Sequence, residues 1–206
     1  VVPARNVVAR PPGRSWAECA AVGLAGLTAY RMLRRGRLRA GEAVLIVGVG
    51  GGVSMAALSL AVHMGAEVFV TSRDRVKRAR AVELGAIAAF ETGESLPVSC
   101  DVVVESVGPA TWEASMAALR PGGRLVVCGG TSGPTVELNL PRLFFKQYEV
   151  IGSTMGGYGE FSALMSLVDQ GLKVAVDSEM ALSDYPTGLS RLAAGEQMGK
   201  VVLHHP

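Results

Sequence analysis

Val44-Leu-Ile-Val-Gly-Val-Gly-Gly-Gly-Val-Ser54 passes from an unbroken apolar stretch into glycines and then into a helix-like segment, Met55 to Met64. An unbroken β-branched run is the signature of a strand buried on both faces. Glycines directly after such a strand let the backbone approach a pyrophosphate, which the N-terminal dipole of the following helix favours. The stretch therefore predicts a phosphate-binding turn and a dinucleotide site. The strict G-x-G-x-x-G spacing fails here, because the third glycine position, counted from Gly48 and Gly50, holds Val53, with Ser54 one later. On the turn alone, a tight strand-to-helix connection with no ligand accounts for the glycines as well. A second apolar run, Glu67-Val-Phe-Val-Thr-Ser72, ends about twenty residues further on, where a ribose-reading residue belongs in this arrangement.

Working outward from the turn, the hydrophobic pattern alternates between the two periods. It reads as strand 43–48, helix 52–64, strand 67–71, helix 74–84, strand 88–90, strand 101–106, helix 111–119 and strand 123–128. This alternation predicts an α/β fold, a Rossmann-like doubly wound parallel sheet with helices on both faces. Right-handed crossovers bring the carboxyl ends of the strands to one edge, where open α/β sheets bind ligands. The loops at that edge are Gly48 to Ser54, Thr71 to Arg73, Ser106 to Gly108 and Cys128 to Thr131. A short helix at 140–147, a sixth strand at 149–153, helices at 160–170 and 183–193, and a strand at 200–203 complete the chain. Upstream, Ser15-Trp-Ala-Glu18 has the form of a capping box opening a short helix through Val22, with a second helix from 27 to 35. His204 and His205, at the terminus, are expected to fray.

With 206 residues, 49% of them hydrophobic and 5% aromatic, and a formal charge of +2, the chain has the composition of an ordinary globular protein. The run Arg31, Arg34, Arg35, Arg37 and Arg39 lies near a helix end, where cations complement the macrodipole, and no aromatics interleave with it to stack bases. Nucleic acid is not an expected partner. No apolar stretch approaches bilayer length and no secretory pattern is present, so the expectation is no membrane partner and a cytoplasmic location. Cys19, Cys100 and Cys128 are far apart, with no C-x-x-C, and indicate neither a disulfide framework nor a zinc knuckle. The first residues, Val1-Val-Pro-Ala-Arg, lack an initiator methionine and suggest a processed product or part of something larger.

Gly26-Leu-Thr-Ala-Tyr30, Arg39-Ala-Gly-Glu-Ala-Val-Leu-Ile46, Gly50-Gly-Gly-Val-Ser54, Leu84-Gly-Ala86, Leu119-Arg-Pro-Gly-Gly-Arg124 and Gly199-Lys-Val-Val-Leu203, in that order, resemble the medium-chain dehydrogenase/reductase superfamily. The likeness is closest to its zinc-type alcohol dehydrogenase and quinone oxidoreductase-like branches. It implies that residues 1–24 are the end of a missing N-terminal GroES-like catalytic domain and a linking helix. Residues 25–157 would be the dinucleotide-binding domain, and 158–206 C-terminal helices and a strand returning toward the catalytic domain. It also implies an oxidoreductase that moves hydride between a nicotinamide and a small-molecule carbonyl, alcohol, quinone or enoyl substrate, this portion alone being inactive. Family members often dimerise through the edge of the sixth strand.

By the same resemblance Gly50, Gly51, Gly52, Val53 and Ser54 cradle the pyrophosphate, and Val107 and Gly108 border the adenosine ribose. Gly129, Gly130, Thr131, Gly152 and Ser153 approach the nicotinamide. None of these is assigned as a catalytic acid or base. The end of the second strand, Thr71-Ser-Arg-Asp-Arg-Val-Lys77, predicts NADP rather than NAD: an NAD site wants a carboxylate where Ser72 stands. Ser72 can donate to a 2′-phosphate, Arg73 offers a planar fork, and Lys77 adds a point charge one turn along. Against this, Arg73, Arg75, Lys77 and Arg78 also fit a solvated helix face, and Asp74 either caps the helix or turns inward against a phosphate. No catalytic zinc is expected in this chain, because a tetrahedral site needs three protein ligands and Leu24 stands where zinc-dependent relatives place a late cysteine. A structural zinc in the missing domain stays open. Two other readings compete: a catalytically silent nucleotide-binding or redox-sensing module, and an S-adenosylmethionine methyltransferase, which usually has an acid at position 72.

Overall fold

The computed structural model describes residues 1–206. Six strands, β1 (Ala43–Ile46), β2 (Glu67–Thr71), β3 (Ala88–Phe90), β4 (Cys100–Glu105), β5 (Leu119–Val127) and β6 (Glu149–Gly152), form one sheet in the order β3-β2-β1-β4-β5-β6. Every neighbouring pair is parallel. The order reverses between β1 and β4, so the connections leave the sheet on opposite faces and a crevice opens beyond the carboxyl ends of those strands. The doubly wound sheet expected from the alternation is the fold observed.

Eight α-helices accompany the strands: α1 (Trp16–Ala21), α2 (Leu27–Arg35), α3 (Gly52–His63), α4 (Arg75–Glu83), α5 (Trp112–Ala117), α6 (Leu140–Phe145), α7 (Tyr158–Asp169) and α8 (Tyr185–Ala193). Side chains alternate across a strand, so each apolar run feeds two cores. Val44, Ile46, Val68, Val70, Val102, Val104 and Val126 pack on one face with Met32 and Leu33 of α2, Leu58 of α3 and Leu164 of α7. Leu45, Val47, Phe69, Val103 and Leu125 pack on the other with Trp112 and Met116 of α5 and Tyr148.

Three elements depart from the sequence reading. The gap expected between the first two helices is closed by a π-helical turn, Val22–Gly26, packed on α3. Glycine costs a helix about 1 kcal/mol relative to alanine, yet here tertiary packing overrides it, and Gly26 has a use: a Cβ there would lie 3.1 Å from Val22 Cβ and 3.4 Å from Leu164. Strand β5 starts at Leu119, inside the expected helix, because Leu119 pairs with Cys100 before a register shift resumes the ladder at Arg124 and Val102. A strand absent from the reading, β7 (Val176–Ala181), pairs in parallel with β8 (Lys200–His204) to make a separate two-stranded sheet resting on α1. Its sequence, Val-Asp-Ser-Glu-Met-Ala, carries no strong alternation, and only the pairing with β8 makes it a strand. His204 belongs to β8, with Nε2 2.7 Å from Glu179 Oε2, and is not a frayed end.

Candidate functional site

The glycine turn is held by the strand ends beside it. Gly48 N donates to Thr71 Oγ1 at 3.1 Å and Val49 N to Thr71 O at 2.7 Å, tying β1 to β2. Gly48 and Gly50 have φ of +73° and +131°, which side-chain-bearing residues rarely adopt. Gly51 caps α3 without any side-chain acceptor, so the first amides of the helix are left for water or an anion. Behind the turn, Ser54 is buried and donates to Gly51 O at 3.0 Å. Gly52 lies under the Lys200 stem and Ala25, where a Cβ would meet Lys200 Cδ at 2.9 Å. The Gly52 to Ser54 segment thus has backbone rather than side chains to offer the crevice.

A cleft of about 770 Å³ opens in front of the turn. Of the residues singled out from sequence, it gathers Gly50, Gly51, Ser72, Arg73, Lys77, Val107 and Thr131. Ser72 is buried, and its Oγ accepts from Asp74 N at 3.2 Å, which leaves the hydroxyl proton free to donate. Asp74 Oδ1 accepts from Val76 N at 2.7 Å and Lys77 N at 3.3 Å, so Asp74 is the N-cap of α4. Arg78 is spent on structure, donating to Ser72 O at 2.6 Å and lying 3.7 Å from Glu91. Lys77 lies across Gly50 and its Nζ donates to Gly195 O at 2.5 Å. Arg73 is exposed and makes neither a hydrogen bond nor an ion pair.

A second cleft, of about 580 Å³, holds Gly108, Gly129, Gly130, Gly152 and Ser153. The groupings differ from those expected: Val107 and Gly108 fall on opposite sides, and Thr131 lies in the first cleft rather than with Gly129 and Gly130. The reason is a ridge made by the loops after β4 and β5, which interlock through Thr131 N to Ser106 O (3.3 Å) and Ser132 N to Val107 O (2.8 Å). Val107, Thr131 and Ser132 line the first cleft, and Gly108, Gly129, Gly130 and Gly133 the second. Ser153 Oγ is buried with no partner. Burial, and then the charge of Glu105, push the Cys128 thiol above its ordinary value, so Cys128 is a neutral wall of this cleft and not a nucleophile.

Two contributors were missed from sequence. Glu105, at the end of an apolar strand, is fully buried beneath the ridge; an acid closing the apolar run Val102-Val-Val104 was its only signal. Ala194, Gly195 and Gln197 line the first cleft from the C-terminal unit. That unit docks on the turn through Gly199 N to Gly50 O at 3.0 Å, a contact between distant residues that no local pattern announces. Lys200, in the closing Gly-Lys-Val-Val motif, lays its stem on Gly52.

The donor chemistry of the chain does not suit a zinc ion: no three His, Cys, Asp or Glu side chains converge. The glycine turn and first cleft do suit a dinucleotide, with free helix amides, a cation over the turn and a volume inside the usual ligand range of about 300–1,000 Å³. No helix is long and apolar enough to cross a membrane.

Fold and clefts together define a nucleotide-binding domain of the doubly wound type. A family model for zinc-binding dehydrogenases matches residues 52–170, more than half of the chain, and the protein belongs to that family, within the medium-chain dehydrogenase/reductase superfamily. The chain is 30% identical to a quinone oxidoreductase of Pseudomonas aeruginosa, over 98% of its own length and 69% of the relative's. Among solved structures it resembles an NAD-dependent alcohol dehydrogenase with a TM-score of 0.90 and 31% identity, over 98% of this chain and 63% of that one. It also resembles the 2-octenoyl-CoA carboxylase reductase CinF, in complex with NADP and 2-octenoyl-CoA, with a TM-score of 0.91 and 25% identity, over 98% of this chain and 53% of that one. The chain thus spans roughly half to two thirds of these relatives.

Proposed function

We propose that this chain is the cofactor half of an NADP-dependent oxidoreductase that moves hydride between a nicotinamide and a carbonyl, alcohol, quinone or enoyl substrate. A bound nicotinamide supplies the hydride chemistry; the chain binds it, orients it and walls it from water. Residues 25–157 carry the binding surface, 158–206 close one side of it, and a catalytic domain preceding residue 25 forms the opposite wall. Relatives of this family are dehydrogenases and reductases that use either cofactor, among them an NAD-dependent alcohol dehydrogenase and an NADP-bound reductase.

The observation that carries the choice of NADP is the state of the residues at the end of β2. Asp74 is committed to capping α4, Ser72 keeps a free hydroxyl proton in the cleft, and the Arg73 guanidinium has no protein partner. A 2′-phosphate meets two donors there, while the 2′-hydroxyl of NAD meets no carboxylate. Calorimetric dissociation constants for NADPH and NADH are expected to differ by at least about tenfold, roughly 1.4 kcal/mol, and Arg73→Ala to erase most of that gap. Equal affinities in the unmodified protein overturn the assignment.

A second copy of the chain is the proposed partner at β6. This strand is a free sheet edge, and its own Val150 and the Phe144 and Phe145 of α6 are exposed apolar side chains, an arrangement that invites strand pairing. Sedimentation equilibrium is expected to give a dimer, and Val150→Lys a monomer.

A further inference from the structure

Glu105 is fully buried and faces no cation, yet its carboxylate is saturated. Oε1 accepts from Val107 N at 2.6 Å and Gly108 N at 3.1 Å, and Oε2 from Thr111 Oγ1 at 2.8 Å and Ser115 Oγ at 2.6 Å. Burying a charged group is costly unless hydrogen bonds replace its water, and here four donors do so. All four belong to β4's following loop and to α5, so the carboxylate is the hub about which residues 106–111 fold. That loop in turn carries the other: Val107 O accepts from Ser132 N at 2.8 Å and Ser132 Oγ at 2.7 Å. The fit is close, since a Cβ on Gly108 would lie 3.1 Å from both Gly130 Cα and Gly133 O. The ridge between the two clefts therefore has its height and register set from below by one side chain.

We propose that Glu105 is a positioning residue for the cofactor: it touches no ligand, and it holds the ridge over which the two halves of a dinucleotide must lie. This rests on the dinucleotide reading of the clefts. The two amides of Val107 and Gly108 are consumed by Glu105, while Gly108 O accepts from Thr111 N at 3.0 Å and Val107 O from Ser132. The ridge then meets the cofactor by shape alone, through the Val107 side chain and the Gly108 backbone, and a shift of a few tenths of an ångström is felt directly. Hydrogen bonding, not charge, is what the ridge needs, and the two are separable. Glutamine keeps one acceptor oxygen on the amides and lets both hydroxyls turn to accept from its NH2 group; leucine keeps the volume and loses every bond.

The test measures NADPH affinity by calorimetry, and hydrogen exchange of residues 106–111 and 128–133, in the full-length protein and its Glu105→Gln and Glu105→Leu variants. The wild type binds, the glutamine variant stays within about threefold of it, and the leucine variant loses at least tenfold with faster exchange in both loops. Wild-type affinity in a folded leucine variant overturns the proposal, as does a glutamine variant that loses as much as leucine, which would make the charge itself decisive. If the leucine variant does not fold, Gly108→Ala displaces the same ridge with Glu105 intact, and unchanged affinity there also overturns it. A wild type that binds neither NADPH nor NADH sinks the dinucleotide reading first, and this role with it.

Discussion

Gly130 and Gly152 look alike in the sequence and are opposites in space. A Cβ on Gly130 would lie 2.5 Å from Gly133 O, a backbone atom that cannot swing aside, whereas one on Gly152 would meet nothing within 4 Å. Gly130→Ala is expected to destabilise the fold by about 1–3 kcal/mol, the usual cost of overpacking, and Gly152→Ala to change it by less than about 0.5 kcal/mol. Urea unfolding of the two variants checks both values. Because Gly152→Ala leaves the empty fold intact, any loss of NADPH affinity in it reports contact with the ligand. The first cleft shows how far residue types alone carry the reading. Ser72, Arg73 and Lys77 were legible as donors from their place after the second strand. The cap was one of two roles the sequence offered Asp74; that Asp74 takes it, and that Arg78 is spent on Ser72 O and Glu91, depends on which neighbour a flexible side chain reaches first.

At the scale of elements, the β7–α8–β8 unit meets the glycine turn through few bonds, and Asp177 organises them. Its carboxylate accepts from Arg191 Nε at 2.7 Å and from Met198 N at 2.8 Å, fixing the segment that ends in Gly199. The Arg191 hydrogen bond holds the Asp177 carboxyl below the ordinary aspartate range. A lowered folded pKa means stability that is fully present above the unfolded value of about 3.9 and lost as pH falls through the folded one. Asp177→Asn is expected to cost about 1–2 kcal/mol at neutral pH, reduced from a fully buried ion pair because Arg191 is partly exposed. The difference between wild type and variant should stay constant above the ordinary aspartate range, shrink as pH falls from there toward the lowered folded pKa, and vanish below that. Chemical denaturation at a series of pH values measures this; a difference that persists in acid refutes the ion-pair account.

For the whole molecule, the two cores on either side of the sheet are complete within the chain, while the clefts open outward along the carboxyl edge. The 206-residue chain is therefore expected to fold and bind NADPH yet turn over no substrate, since orientation and exclusion of water need an opposing wall. Calorimetric binding set beside reductase assays on quinones, enones and aldehydes decides it: turnover comparable to a full-length protein would show that the wall is dispensable.

The sequence by itself determined the sheet, the glycine turn and the donors at the end of β2, because each follows from local rules: strand burial, backbone freedom at glycine, and the chemistry of a residue at a fixed offset. It missed β7, the continuous π turn at Val22–Gly26 and the early start of β5, where pairing or packing with distant residues outweighs local propensity. Only the tertiary structure decided that Val107 and Gly108 face different clefts, that Glu105 lies beneath them, and that Gly195 and Gln197 reach the first cleft. Those placements are set by hydrogen bonds between segments far apart in the chain, and no local pattern encodes which carbonyl a distant amide will find.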